Sequence, residues 1–272
     1  MLRYMKEGWS AALRQKFLLL AMAVYRFGWA LALYELASSI VEPLLQRYPG
    51  AAVSSAQSHL FAAESEFRLI KTDLSHDYVW LLGILLAIRM IVTPLLNAGI
   101  YYSLANTHLN AGYRFMKGIR ELGGSFTLYY LLQTALACAP LAYLAPKATA
   151  LLAHASSFEA LLRELLPYAA GCLAWGFAVK LLFTLLQFAR TEQLSLGRSL
   201  AVTLRCYAPI IALTLLLLAV SLGVAAAAMT ATFVWAGFWT LLAYQAYRLL
   251  QTLLRLWELA AQHKLFQDKA AA

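Results

Sequence analysis

The residues in this chain best suited to chemistry are ionisable groups set within long apolar runs: Arg26, Glu35, Arg89, Lys180 and, nearer the end of its run, Arg248. A base at the centre of a membrane span costs about 2.5–3.5 kcal/mol on insertion scales, so each needs an anion, a neighbouring acid or water to justify its place. Polar residues recur beside these bases at helical spacing. Lys180, Thr184 and Gln187 fall at i, i+4 and i+7 and share a face, and Arg89 with Thr93 begins a similar face that ends near Asn97. Gly237, Thr240, Tyr244, Tyr247 and Gln251 form a third stripe of small and polar residues. One chemistry consistent with this pattern is capture of an anionic group by Arg26, Arg89, Lys180 and Arg248, assisted by Thr93, Thr184 and Gln187. Glu35 is then the intramembrane ion-pair candidate.

Plainer readings stand beside that one. Small and polar stripes also serve helix packing and interhelical hydrogen bonds. Snorkelling suits Arg248, but Arg89 and Lys180 lie about ten residues, ~15 Å at helical rise, from the nearest basic end, beyond side-chain reach. Glu35 lies nine residues beyond Arg26, nearly opposite on a helix, so it would serve a neighbouring helix and could neutralise one base. Catalytic motifs are not found: the chain has no H-E-x-x-H, G-x-S-x-G or P-loop, and no paired span aspartates. Its five histidines (His59, His76, His108, His154, His263) and three cysteines (Cys138, Cys172, Cys206) show no metal spacing. We therefore expect no catalytic residues, no metal and no cofactor.

The elements that must position these residues are membrane helices. Of 272 residues 62% are hydrophobic and only 13% charged, against about 25% charged in ordinary soluble domains. That balance excludes a soluble enzyme, a disordered chain and a nucleic-acid-binding domain, despite a net charge of +9. Apolar runs of the length a span needs, roughly 20 residues, occur at Phe17–Val41, Tyr78–Tyr102, Phe126–Leu144, Tyr168–Phe188, Tyr207–Ala227 and Thr232–Leu253. The last two share a window of 42 positions, Cys206 to Tyr247, without a charge, which predicts two spans joined by a tight turn near Met229–Thr232. Nine Leu, Ile, Val or Phe residues in the fourth run return about 3–5 kcal/mol on insertion, so that run tolerates Lys180. Arg26 and the missing A-x-A site argue against reading the first run as a cleaved signal peptide.

Charge sorts by loop. One side carries 14 Lys or Arg against five acids, for +9, and the other carries five against seven, for −2. The positive-inside rule then places both termini in the cytoplasm, and the spans themselves keep +2 from Arg26, Arg89 and Lys180 less Glu35. The basic balance is a topology signature, with anionic membrane lipids as natural partners and no need for nucleic acid.

Amphipathic segments flank the spans. Leu2, Met5, Trp9 and Leu13 make one apolar face suited to the headgroup layer, and Tyr113–Leu122 and Leu194–Arg205 precede the third and fifth spans in the same way. On the other side Leu60, Ala63, Phe67, Ile70 and Leu74 mark a helix, and Ser156-Ser157-Phe158-Glu159 is a capping box that leads to Pro167 in the first turn of the fourth span. The returning spans share a pattern: RMIVTPLL from Arg89, KLLFTLLQ from Lys180 and RLLQTLLR from Arg248. The expected fold is one all-α membrane domain of six spans in three antiparallel hairpins with short interfacial helices. A pseudo-threefold repeat would give units 1–112, 113–193 and 194–272.

This layout, with the stretches NAGIYYSLANTHLNAGYRFMKGIRELGGSF and TEQLSLGRSLAVTLRCYAPIIALTLLLL, resembles a large and loose group of bacterial six-span membrane proteins. The group includes the membrane domain attached to some glycerophosphodiester phosphodiesterases and several uncharacterised families. The likeness spans most of the chain at the level of pattern. It implies a multi-pass protein of the bacterial plasma membrane; no hydrolase domain accompanies it, so phosphodiesterase activity does not carry over. Two functions fit the sequence. One is binding or transport of an anionic amphiphile, a lipid headgroup or lipid phosphate, through the span bases. The other is a non-catalytic accessory or assembly subunit whose span charges pair with a membrane-protein partner or a second copy.

Overall fold

The computed structural model describes residues 1–47, 74–154, 158–234 and 238–271, and the regular structure among them is helical throughout. In chain order the helices are α1 (Leu2–Arg14), α2 (Lys16–Arg47), α3 (Leu74–Ala105), α4 (Ala111–His154), α5 (Phe158–Thr191), α6 (Leu196–Val234) and α7 (Phe238–Ala271). Five stretches within them are long and apolar enough to cross a membrane: Lys16–Glu42, Tyr78–Ala105, Ala111–Pro146, Arg163–Thr191 and Gly197–Thr230. In a bilayer a helix is the element that satisfies its own backbone groups within one segment. The shortest of the five has 27 residues, ~40 Å at helical rise, which exceeds the roughly 30 Å of hydrocarbon. Ile84, Leu131, Leu132, Leu173, Leu215 and Leu222 lie exposed along these helices. Water does not sustain apolar surface on that scale, whereas acyl chains do.

Several boundaries differ from expectation. Tyr113–Leu122 and Leu194–Arg205 do not form separate interfacial helices; the first lies within α4, and α6 runs unbroken from Leu196. No proline or left-handed residue interrupts either stretch, so helical hydrogen bonding simply continues. The turn expected at Met229–Thr232 is helical, because α6 continues to Val234. Pro167 sits inside α5 rather than in its first turn. The sixth expected span, Thr232–Leu253, divides between the end of α6, residues 235–237 outside the described set, and α7. The helix expected over Leu60–Leu74 and the capping serines Ser156 and Ser157 lie outside the described residues, apart from Leu74 at the start of α3.

The chain divides into two compact units, one of Met1–Leu20 with Thr93–Ala272 and the other of Ala21–Val92. In the smaller unit the Tyr78 hydroxyl donates to the Ser39 carbonyl at 3.1 Å. The Arg89 guanidinium there lies 5.4 Å from the centre of the Trp29 ring.

In the larger unit the core gathers around Phe188, which is fully buried. Its ring centroid lies 4.8 Å from that of Tyr101 on α3, 5.2 Å from His263 and 5.8 Å from Phe266 on α7. Leu256, Ala260, Ala261 and Leu265 of α7 are buried with them. The basic stretch after Leu253 is therefore a packed helix, although its charges make it look like a solvated tail. Its partner is α1. Trp257 donates its indole N–H to the Met5 carbonyl at 2.8 Å, and the Trp9 and Trp257 rings meet edge to face at 5.1 Å. The buried face of α1 is Gly8 and Ala12, one turn apart, while Leu2 and Leu13 stay exposed. Small residues let the two backbones approach closely. A Cβ on Gly8 would sit 2.7 Å from the backbone of Ala261.

Gly8→Ala is accordingly expected to destabilise the protein, although alanine is the better helix former by about 1 kcal/mol, because overpacking against backbone costs roughly 1–3 kcal/mol. Gly171→Ala on α5 is the matched control, since its added Cβ meets nothing within 4 Å. Denaturant titration in micelles, read by tryptophan fluorescence, should show loss for the first and a gain for the second. A more stable Gly8→Ala protein would mean that α1 is not held against Ala261.

Candidate functional site

Three of the four bases singled out by the sequence are exposed. Arg89, Lys180 and Arg248 are exposed on α3, α5 and α7, and Arg26 is half-buried on α2. The threonine four residues on from two of them turns inward: Thr184 and Thr252 are buried, and each donates its hydroxyl to the carbonyl of its base, at 2.9 Å to Lys180 and 3.1 Å to Arg248. Thr93, after Arg89, is half-buried and followed by buried Pro94. Four residues advance a helix by little more than a full turn, so base and threonine occupy nearly the same face. Their difference in burial comes from depth. On α5 packing thickens toward Phe188, which covers Thr184 and Gln187 but leaves Lys180 outside.

Some of these groups meet no opposite charge among the described residues. Glu35 is exposed, and neither it nor Lys180 makes an ion pair among the described residues. Arg89 instead lies on Trp29, whose buried indole N–H has no acceptor among the described residues. A guanidinium over an indole face gains quadrupolar attraction that partly offsets its lost hydration. Gln187 is buried in the packed wall of α5, and its backbone carbonyl accepts from the Thr191 hydroxyl at 2.8 Å.

A second polar constellation, which spacing did not single out, forms where α5 ends. Gln193 adopts a left-handed conformation, φ 53°, at the position that follows the helix. Gln193 N–H returns to the Arg190 carbonyl at 3.2 Å and Leu194 N–H to that of Ala189 at 3.1 Å. This is a Schellman closure with glutamine where glycine is usual. It fixes Glu192 at the helix end, where one carboxylate oxygen accepts from His263 Nε2 at 3.0 Å and from Gln267 at 2.9 Å. His263 is 2% exposed, so its ring is locked between Phe188 and that carboxylate. The hydrogen bond from His263 lowers the Glu192 carboxyl below the usual carboxylate range; burial opposes this, and Gln267 adds to it. Beside the pair, Gln262 donates to the Thr214 hydroxyl at 2.9 Å and to Glu258 at 3.3 Å. His263 looks like one more scattered histidine in sequence. Its place seven residues after Leu256 and three after Ala260, on the apolar face of α7, is the signal that it is buried.

On the opening of α4, Arg114 is buried, with Nη1 donating to the Thr107 carbonyl at 3.1 Å and Nη2 to the Gln15 side-chain oxygen. Gln15 stands at the break between α1 and α2, and Lys117 lies 5.8 Å over the Tyr102 ring. A Cβ on Gly118 would fall 2.5 Å from that of Tyr102, so α3 and α4 touch here. No group of three or more His, Cys, Asp or Glu side chains converges among the described residues. No family model, curated protein or solved structure matches this chain.

A carboxyl whose folded pKa lies below its unfolded one adds stability above the unfolded range and loses it as pH falls through the folded value. The protein should thus weaken on acidification below the ordinary carboxylate range. Glu192→Gln should flatten that part of the profile and cost about 1–3 kcal/mol at neutral pH. Denaturation at stepped pH checks both, and an unchanged acid limb in Glu192→Gln would remove the pair as its source. Gln193→Gly, by relieving the left-handed strain, should add about 1 kcal/mol.

Proposed function

We propose that the protein is a non-catalytic, multi-pass plasma-membrane protein that binds an anionic amphiphile through its span bases. The observation that carries this reading is the outward exposure of Arg89 and Lys180 on helices that otherwise show acyl-chain-like surface. A cation on the outer wall of a span faces hydrocarbon unless an anion covers it. A lipid headgroup or lipid phosphate drawn along the helix is the ligand nearest to hand, with Thr93, Thr184 and Gln187 framing the approach and Arg26 and Arg248 widening the positive field.

The accompanying topology is six spans in three antiparallel hairpins with both termini cytoplasmic. Support comes from the loop charges and from contacts that descend one helix as they climb its neighbour. Tyr78 meets Ser39 while Arg89 meets Trp29, and Trp175 donates to the Leu136 carbonyl while Tyr129 meets Phe183. The shared spacing of base and threonine in RMIVTPLL, KLLFTLLQ and RLLQTLLR supports the internal repeat. Kinship with the bacterial six-span group belongs to the same proposal.

The same exposure favours a second reading, an accessory subunit whose bases, with Glu35, pair with charges on a partner's span or on a second copy. Native mass spectrometry after gentle extraction separates the two. On the first reading wild-type protein carries anionic phospholipid, and Arg89→Leu with Lys180→Leu loses it while yield holds or rises, since each leucine eases insertion by about 3 kcal/mol. Retention of the lipid by the double variant would overturn this reading. A co-purifying membrane protein that the double variant sheds would favour the second.

A further inference from the structure

The structure assigns a second, separate anion site: we infer that a cavity between α1, the loop 106–110, the start of α4 and α7 binds a phosphate monoester. The cavity measures about 750 Å3, and its chemistry comes from Glu7, Arg14, Gln15, Arg114, His263 and Lys264. None of these is among the span bases of the preceding proposal, so the two stand or fall independently.

Arg114 is the built centre of the site. Its side chain belongs to a residue only 6% exposed, yet both of its hydrogen-bond partners, the Thr107 carbonyl and the Gln15 amide, are neutral. Its Nε has no acceptor, and no carboxylate pairs with it among the described residues. A buried guanidinium of this kind has its fork held in place while its charge stays uncompensated, which is the arrangement suited to a planar or tetrahedral oxyanion. Natural proteins rarely leave such a charge buried without an anion.

The surrounding groups are positive on balance. Arg14 makes no ion pair among the described residues, and Lys264 reaches only the Gln267 amide at 3.4 Å. The Glu7 carboxylate is already engaged by Arg3 at 2.8 Å. His263 contributes a wall whose Nε2 is spent on Glu192. Three cations against one carboxylate leave two positive charges around the cavity, the complement of a phosphate monoester dianion. Asn110, just before the 44-residue α4, and Ala111, its first residue, also line it and add the partial positive charge of a helix start. The volume lies in the range of organic ligands, about 300–1,000 Å3, so the phosphate comes with an attached body.

Two sources offer that chemistry, a lipid such as phosphatidic acid or a soluble phosphate ester, and titration separates them. The full chain in phosphatidylcholine nanodiscs is titrated with glycerol phosphate by calorimetry, and discs containing phosphatidic acid are analysed for retained lipid by native mass spectrometry. Wild-type protein should bind one probe, and the exposed double variant Arg14→Ala/Lys264→Ala should weaken it by about tenfold or more. Arg114→Leu should abolish binding; where that buried change harms folding, the double variant carries the test. Loss confined to glycerol phosphate assigns a soluble ester, and loss confined to phosphatidic acid assigns a lipid. Binding of neither probe by wild-type protein, or equal binding by the double variant, overturns the site. So does a loss produced by Arg89→Leu/Lys180→Leu instead, a result that would leave the span-base proposal standing.

Discussion

The buried ring of Phe188 is the interaction on which the larger unit depends. It is the meeting point of α3, through Tyr101, and of α7, through His263 and Phe266. Phe188 lies about one turn before the end of α5. The left-handed Gln193 closes α5 immediately afterwards, which brings Glu192 beneath His263. Apolar packing and the contact of buried His263 with Glu192 are therefore parts of a single arrangement. Tertiary contact makes the glutamine bear a conformation that glycine adopts more easily.

Packing is dense at this end and sparse along the rest of the spans. Lipid explains the asymmetry. Helices in a bilayer gain no hydrophobic free energy by hiding leucine from acyl chains, so close contact is reserved for positions where backbones can meet or polar groups must pair. Gly8 against Ala261, Gly118 against Tyr102 and the Gln262–Thr214 bond are of that kind. Exposed Leu173 and Leu222 need no partner, whereas exposed Lys180 does.

The helical class and the long apolar segments were legible because composition alone commits this chain to lipid, and segment length follows from bilayer thickness. Helix ends were less legible. Nothing in the uncharged window tells the end of α6 from the start of α7, and amphipathic character at Tyr113–Leu122 does not say whether the helix breaks before Phe126. The threonine faces beside Lys180 and Arg248 followed from spacing, but burial depends on depth along the bundle, which spacing does not encode. Arg114 and His263 stayed hidden for a different reason: each lies in a stretch rich in charge, where topology already accounts for basic residues. On α1 the apolar face of Leu2, Met5, Trp9 and Leu13 was legible from spacing, whereas the close approach to α7 through Gly8 and Ala12 was not, because small residues carry little hydrophobic signal.

Trp257 and Met5 are 252 residues apart in the sequence. When a ribosome has made α1, its docking partner does not yet exist, and all of the intervening helices must be delivered to the bilayer first. Throughout that interval α1 is a basic, two-faced helix with nowhere to bind but the membrane surface. Its exposed Leu2 and Leu13 and its cationic side chains equip it to wait there. The same thirteen residues thus serve two successive environments, and α1 is seated against α7 only once both helices have been made.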